Sequence, residues 1–272
     1  MWDMRRGILL TVVAMVVVAC APSPQSAPSD AGDPTAAVAS TTTQAPTITA
    51  TEPELEPQAP RPTYQGFDAE LDETTTLVAA TTGETTVFDA PGSEAPLVTL
   101  DATTILGTGT VLSIVGEAPD GWLEVLLPVR PNDSTGWIHS SDVEIYVVEG
   151  KIIVDLSDRT LSYLVDGEEV LASTVAIGKS GYPTPTGSFF VTDSVTLADS
   201  GSPWGPHALG LSARSDTITE YNGGDGIIGI HGTNRPSSIG KAASLGCVRL
   251  PNETIIQLHS LVTIGTPVEI RA

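Results

Sequence analysis

The chain is 272 residues long, enough for one large domain or two modest ones with a real core. It carries 33 acidic residues against 12 basic ones, a formal net charge of −21, and no basic cluster longer than the Arg5-Arg6 pair. That balance argues against a nucleic-acid partner, because phosphate binding needs clustered lysine and arginine.

The chain opens with Arg5 and Arg6, followed by the apolar run "GILLTVVAMVVVA" at 7–19. Its 13 residues are too few to cross a bilayer as a helix, which takes about 20. A positive start, a short apolar core and a small terminal residue read as an export signal over 1–19. "VVAC" at 17–20 resembles the lipobox of bacterial lipoproteins. That resemblance implies removal of the signal and a lipid on Cys20, anchoring the protein to a membrane in the extracytoplasmic cell envelope. Cys247 then holds the remaining thiol. Exported proteins sit where disulfides form, yet a lone thiol has no intramolecular partner. Two readings stay open: a small buried hydrophobe, or a reactive group.

Residues 20–73 are rich in Pro, Ala, Thr and Ser and nearly empty of large apolar side chains. Such a segment cannot offset the entropy of ordering and is expected to be a disordered tether. Nine acidic residues against Arg61 extend it by self-repulsion, over a root-mean-square span of about 40 Å. From 74 to 147 the pattern turns to short alternating strands: "TTLVAAT", "TTVFDA", "TVLSIVG", "GWLEVLL" and "TGWIHSSDVEIYV". Turn formers separate them, among them Pro91-Gly92, Pro119-Asp120-Gly121 and Pro131-Asn132-Asp133. Strands opened by Gly121-Trp122 and Gly136-Trp137 resemble the small bacterial Src-homology-3-like β barrel carried by wall enzymes. Such modules bind wall peptides or act as spacers. Trp122 and Trp137 are expected in the core rather than on a ligand platform, and His139 on a strand surface.

The segment 148–272 begins with "KIIVDLSDRTLSYLV", two strands about a Ser-Asp-Arg turn. "EVLASTVAIG" and "GSFFVTDSV" follow as strands around "GYPTPTG" at 181–187. "PNETIIQLHSLV" reads as a helix: Asn252 caps it, Glu253 suits its amino end, and Ile255, Leu258 and Leu261 recur at helical spacing. His259 is structural or exposed on it, and "GTPVEIRA" closes the chain as a strand. The predicted fold class is mostly β: a small Src-homology-3-like barrel followed by a β-rich domain with one or two short helices.

A thiol attacks as thiolate, and at a reference pKa of about 8.5 it is mostly protonated at neutral pH. Activation calls for a nearby base, usually a histidine oriented through its second ring nitrogen. His231 ends the apolar strand "GIIGI" and lies sixteen positions before Cys247. Gly232, Pro236, Gly240 and Gly246 lie between them, enough turn formers to fold the thiol back beside the imidazole. Gly246 leaves room for a substrate, and amides around Gly246 and Cys247 suit an oxyanion. His207 in "WGPHALGL" is the rival base, and Trp204 and Tyr182 are candidates for the cleft wall. One thiolate among scattered histidines lacks the close ligand pairs of a zinc site, so no metal or other cofactor is expected.

"IHGT" at 230–233 followed by "SLGCVR" at 244–249 closely resembles the signature of the YkuD-like L,D-transpeptidase catalytic domain. "PTPTG" at 183–187 and "GTPVEI" at 265–270 fit it as well, and the resemblance covers about 148–272. It implies Cys247 as nucleophile, His231 as general base and acid, and the Gly232 carbonyl as the group orienting the histidine. Ser244, Gly246 and Arg249 fall on the remaining motif positions; Arg249 braces the loop or meets a substrate carboxylate. Many members carry histidine where this chain has Leu245. The implied activity is formation of 3→3 cross-links between peptidoglycan stem peptides through a thioester, with carbapenem β-lactams as covalent inhibitors. A carboxypeptidase or endopeptidase that trims stems, and a non-catalytic wall-binding lipoprotein, are the alternatives. A coupled Cys247–His231 pair predicts a bell-shaped rate profile with two macroscopic pKa values, whereas a profile flat across neutral pH would count against the pairing.

Overall fold

The computed structural model describes residues 75–199, 201–221 and 224–272. The export signal, Cys20 and the tether lie outside those residues. Seven strands make the amino-terminal sheet: β1 (Thr75–Thr81), β2 (Thr85–Phe88), β3 (Pro96–Leu100), β4 (Val111–Ala118), β5 (Trp122–Leu126), β6 (Thr135–His139) and β7 (Val143–Glu149). All pairs are antiparallel, in the order β3-β2-β6-β5-β4-β1-β7. The stretch expected as one strand at 135–147 is broken by a 3₁₀ turn at Ser140–Asp142 into β6 and β7. β3 has no counterpart in the sequence reading; only Val98 and Leu100 of its five residues are partly buried against the core.

Alternation on β5 and β6 sends Leu123, Val125 and Ile138 inward, fully buried. Trp122 and Trp137 therefore point to the outer face, where they are half-buried. This corrects their expected place in the core. Trp122 packs edge-on against Phe88 at 5.6 Å and against His139 at 5.5 Å. His139 ties the adjoining turn through Nε2 to the Asp120 carbonyl at 2.8 Å.

The second sheet holds β8 (Lys151–Asp155), β9 (Thr160–Val165), β10 (Glu168–Thr174), β12 (Gly187–Thr196), β13 (His207–Arg214), β14 (Ile227–His231), β16 (Val248–Arg249) and β17 (Pro267–Arg271). Their order is β10-β9-β8-β17-β12-β13-β14-β16. The short strands β11 (Ile177–Gly178) and β15 (Ala242–Ser244) pair in parallel beside it. The segment expected as one strand over 169–178 is thus two, since β10 ends at Thr174. The helix α1 (Asn252–Leu261) buries Ile255 and Leu258 against the sheet. Asn252 does not cap it. Pro251 occupies the cap position, and the Asn252 side chain serves another purpose described below. The molecule is mostly β with this one α-helix among the described residues.

The two sheets are not beads on a string. Phe190 of β12 is fully buried in the core of the amino-terminal sheet, beside Val78, Leu112, Ile138 and Tyr146. Tyr146 Oη donates to the Ile264 carbonyl at 2.9 Å, and Thr104 Oγ1 donates to the buried Asp193 carboxylate at 2.5 Å. Asn132 accepts from the Arg214 N–H and donates to the Arg214 carbonyl, both at 2.8 Å. Burial of a phenyl ring across the junction is worth about 2–3 kcal/mol. Separating the sheets would expose it and orphan these polar groups.

Candidate active site

Parallel pairing of β14 with β16 sets Ile230 opposite Val248 and His231 opposite Arg249. The strand register alone therefore brings the end of "GIIGI" to the residues following Cys247, across fifteen intervening positions of loop. The turn before Cys247 is tied at three points. Ser244 Oγ donates to the Cys247 carbonyl at 2.5 Å and accepts from the Gly246 N–H at 3.1 Å. Thr184, from the "PTPTG" loop, donates to the Gly246 carbonyl at 2.7 Å and accepts from the Gly178 N–H at 2.9 Å. Gly246 sits at φ +121, and a Cβ there would lie 2.9 Å from Ile228 Cδ1. Only glycine fits such a position without strain.

His231 is 5% exposed, and its Nδ1 donates to the Gly232 carbonyl at 2.6 Å, which fixes the ring's orientation. Its ring lies 4.5 Å from that of Trp204, tilted by 45°. The loop it begins is held from below: Asn252 Oδ1 accepts the Thr233 N–H at 2.7 Å, and the Gly232 N–H donates to the His207 carbonyl at 3.2 Å. Gly205 at φ +66 packs so tightly that a Cβ would lie 2.5 Å from Asn252 Oδ1 and 2.7 Å from Gly232 Cα.

Cys247, His231 and Arg249 open on one cavity of about 100 Å³, walled also by Trp204, Ile218 and Leu245. Cys247 Sγ accepts the Gly229 N–H at 3.4 Å. Burial pushes the thiol pKa up, while that N–H and the positive Arg249 oppose the rise. Burial also pushes His231 down to about 4, helped by Arg249 and resisted by its backbone partners Gly232 and Trp204. At neutral pH the resting pair is thus thiol plus neutral imidazole. The two groups titrate on opposite sides of the neutral range, which corrects the expectation that a flat neutral profile would count against their pairing. Arg249 Nε is buried and has no hydrogen-bond partner among the described residues. An unpaired guanidinium on a cavity wall is a site for an anion, above all a carboxylate it can grip in two places.

The other sequence candidates fall elsewhere. His207 stacks on His259 at 4.1 Å and meets Thr196 Oγ1 at 3.2 Å, off the cavity wall, so it does not serve as the rival base. Trp204 lines the cavity as expected, whereas Tyr182 does not and lies under Lys179 Nζ at 5.3 Å. Ser244 and Gly246 shape the turn, and the Gly246 N–H is already committed to Ser244. Thr184 and Asn252 were missed as site residues. The rigidity of "PTPTG" was the available signal for Thr184; Asn252 carried a misleading one, its suitability as a helix cap. Among the described residues no group of three His, Cys, Asp or Glu is placed to hold a metal ion.

A half-buried thiol on the turn before β16 and a backbone-oriented imidazole at the end of β14, sharing a cavity with a guanidinium, form equipment suited to acyl transfer at a peptide carbonyl. Comparison with known proteins narrows the class. The YkuD family, described as the L,D-transpeptidase catalytic domain, matches residues 149–270. A Bacillus subtilis protein described as the L,D-transpeptidase YkuD is 35% identical over 151 residues, covering 53% of this chain and 84% of that relative. Its Bacillus licheniformis counterpart is 38% identical over 120 residues, covering 44% and 64%. Among solved structures, L,D-transpeptidase 3 from Mycobacterium tuberculosis in complex with a faropenem-derived adduct aligns at a TM-score of 0.40 and 15% identity, covering 61% of this chain and 92% of that one. The chain belongs to the L,D-transpeptidase family.

Proposed function

We propose that the protein is a peptidoglycan L,D-transpeptidase that forms 3→3 cross-links through a thioester on Cys247. The observation that carries this reading is the shared cavity of Cys247, His231 and the unpaired Arg249. His231, neutral above a pKa of about 4, takes the thiol proton as Sγ attacks the L-to-D peptide carbonyl between the third and fourth residues of a donor stem. The oxyanion falls to the Cys247 N–H, because the Gly246 N–H is occupied by Ser244. The imidazolium returns its proton to the departing D-alanine amine as the C–N bond breaks, leaving the acyl-sulfur bond. An amine of a second stem then attacks the thioester, His231 removes its proton, and Sγ departs protonated. Arg249 holds a stem carboxylate beside the reacting carbonyl, so that the carbonyl meets Sγ in a productive pose.

Family membership and the "VVAC" motif support a location outside the cytoplasmic membrane on a Cys20 lipid, where no ATP is needed because the cleaved peptide bond conserves the energy. The same thioester chemistry makes carbapenem β-lactams inhibitors that acylate Cys247. Incubating purified protein with stem tetrapeptides and separating the products by mass tests the reading. Cross-linked dimers with release of D-alanine are expected; trimmed tripeptides alone would replace transfer by hydrolysis, and unchanged tetrapeptides would reject both.

A further inference from the structure

The loop joining β13 to β14 forms one wall of the cavity through Ser215, Ile218, Tyr221 and Gly226. Its ends are joined directly by the Ser215 N–H to the Gly226 carbonyl at 2.9 Å, and a second tie comes from outside. Arg130, in the loop between β5 and β6 of the amino-terminal sheet, spreads its guanidinium under this segment. Nε pairs with Asp225 Oδ1 at 3.0 Å, Nη2 donates to the carbonyls of Ile218 at 3.0 Å and Asp225 at 3.2 Å, and Nη1 donates to that of Ser215. These acceptors span both ends of the loop, so one planar group fastens its entry to its exit. Gly226 at φ +54 makes the fit possible: a Cβ there would collide with the Ile218 carbonyl and lie 3.0 Å from Arg130 Nη2. Asn132, two residues on, fixes the donor loop itself by its paired bonds to the Arg214 backbone. From the same sheet Ile105 closes on Gly224, whose Cβ would lie 2.8 Å from Ile105 Cδ1.

We propose that Arg130 is a positioning residue of the active site: by clamping Ser215, Ile218 and Asp225 it fixes the wall against which the donor stem lies, so the amino-terminal sheet sets substrate affinity. This rests on the transpeptidase reading for its substrate, although the clamp itself does not. Arg130 touches no reacting atom. Its loss widens the cavity wall without altering Cys247, His231 or Arg249, an effect on binding shared by ground and transition states. A lysine has one point charge and cannot reach the carbonyls and the carboxylate together.

The test compares wild type, Arg130→Gln and Arg130→Lys in the full chain. For Arg130→Gln, amide hydrogen exchange in 215–226 is expected to quicken about tenfold or more, as for a loop released from its partners. KM for stem tetrapeptide rises about tenfold while kcat stays within about twofold, and alkylation of Cys247 by iodoacetamide is unchanged. Arg130→Lys recovers only part of both losses. Unchanged exchange, or an unchanged KM in Arg130→Gln with a working wild type, overturns the proposal. A wild type that makes no cross-link overturns the transpeptidase reading instead, while the exchange measurement still decides the clamp. If Arg130→Gln does not fold, Arg130→Lys is read against wild type by the same exchange measurement: about threefold faster exchange is expected, because one ammonium cannot hold Ser215, Ile218 and Asp225 together, and unchanged exchange contradicts the clamp.

Discussion

The two sheets leave their polar groups in different states. Where the amino-terminal sheet meets its neighbour, Thr104, Arg130, Asn132 and Asp133 all carry hydrogen bonds to residues 55 or more positions away. At the open rim of the second sheet the reverse holds: Arg249 Nε is buried without a partner, and Sγ of Cys247 has one weak donor. Buried polar groups are normally satisfied, so the bonded ones hold the junction together, and Arg249 Nε stands apart from them.

Replacing His231 by Gln tests the rim of the second sheet most severely. Stem cross-linking should fall about 10³-fold, the usual scale for loss of a general base, while the far-ultraviolet circular dichroism of the folded protein is retained. At the junction, Phe190→Ala should cost about 3–5 kcal/mol in a denaturant titration. Both sheets should melt together, and two separate transitions would show them to be independent.

A third prediction concerns acid. The His231 pKa is about 4 when folded against 6.5 for the free side chain, so between those values the unfolded chain binds the extra proton. Stability is then full above pH 6.5 and falls as pH drops toward 4, by about 3 kcal/mol. His231→Gln should flatten that slope. The rate profile should show its acid limb near pH 4 and hold level through neutrality, because the thiol titrates above its ordinary range. Arg249→Gln should lower kcat/KM about 30-fold by removing one charge-assisted pair with substrate. The smallest effect is expected for Ser244→Ala, about 1 kcal/mol of stability, since it unties one turn.

That His231 and Cys247 line one cavity was legible because strand, turn formers and motif agreed, and the β14–β16 register sets His231 opposite Arg249. What escaped was everything that depended on side chains reaching far along the chain. Pro131-Asn132-Asp133 reads correctly as a turn, yet nothing local tells that Asn132 binds the backbone of Arg214 or that Arg130 clamps the far wall. Asn252 has the chemistry of a helix cap and uses it one strand away, on Thr233, because Pro251 already sets the helix entry. The tryptophans misled in the opposite direction. Large aromatic residues suggest a core, but strand alternation commits Val125 and Ile138 inward and leaves Trp122 and Trp137 outside.

The most direct test of the central claim is intact mass spectrometry after exposure to a carbapenem. The wild type should gain the mass of one inhibitor, located on the peptide containing Cys247, and Cys247→Ala should gain none. An unmodified wild type, or equal labelling of the two proteins, would contradict a nucleophilic Cys247.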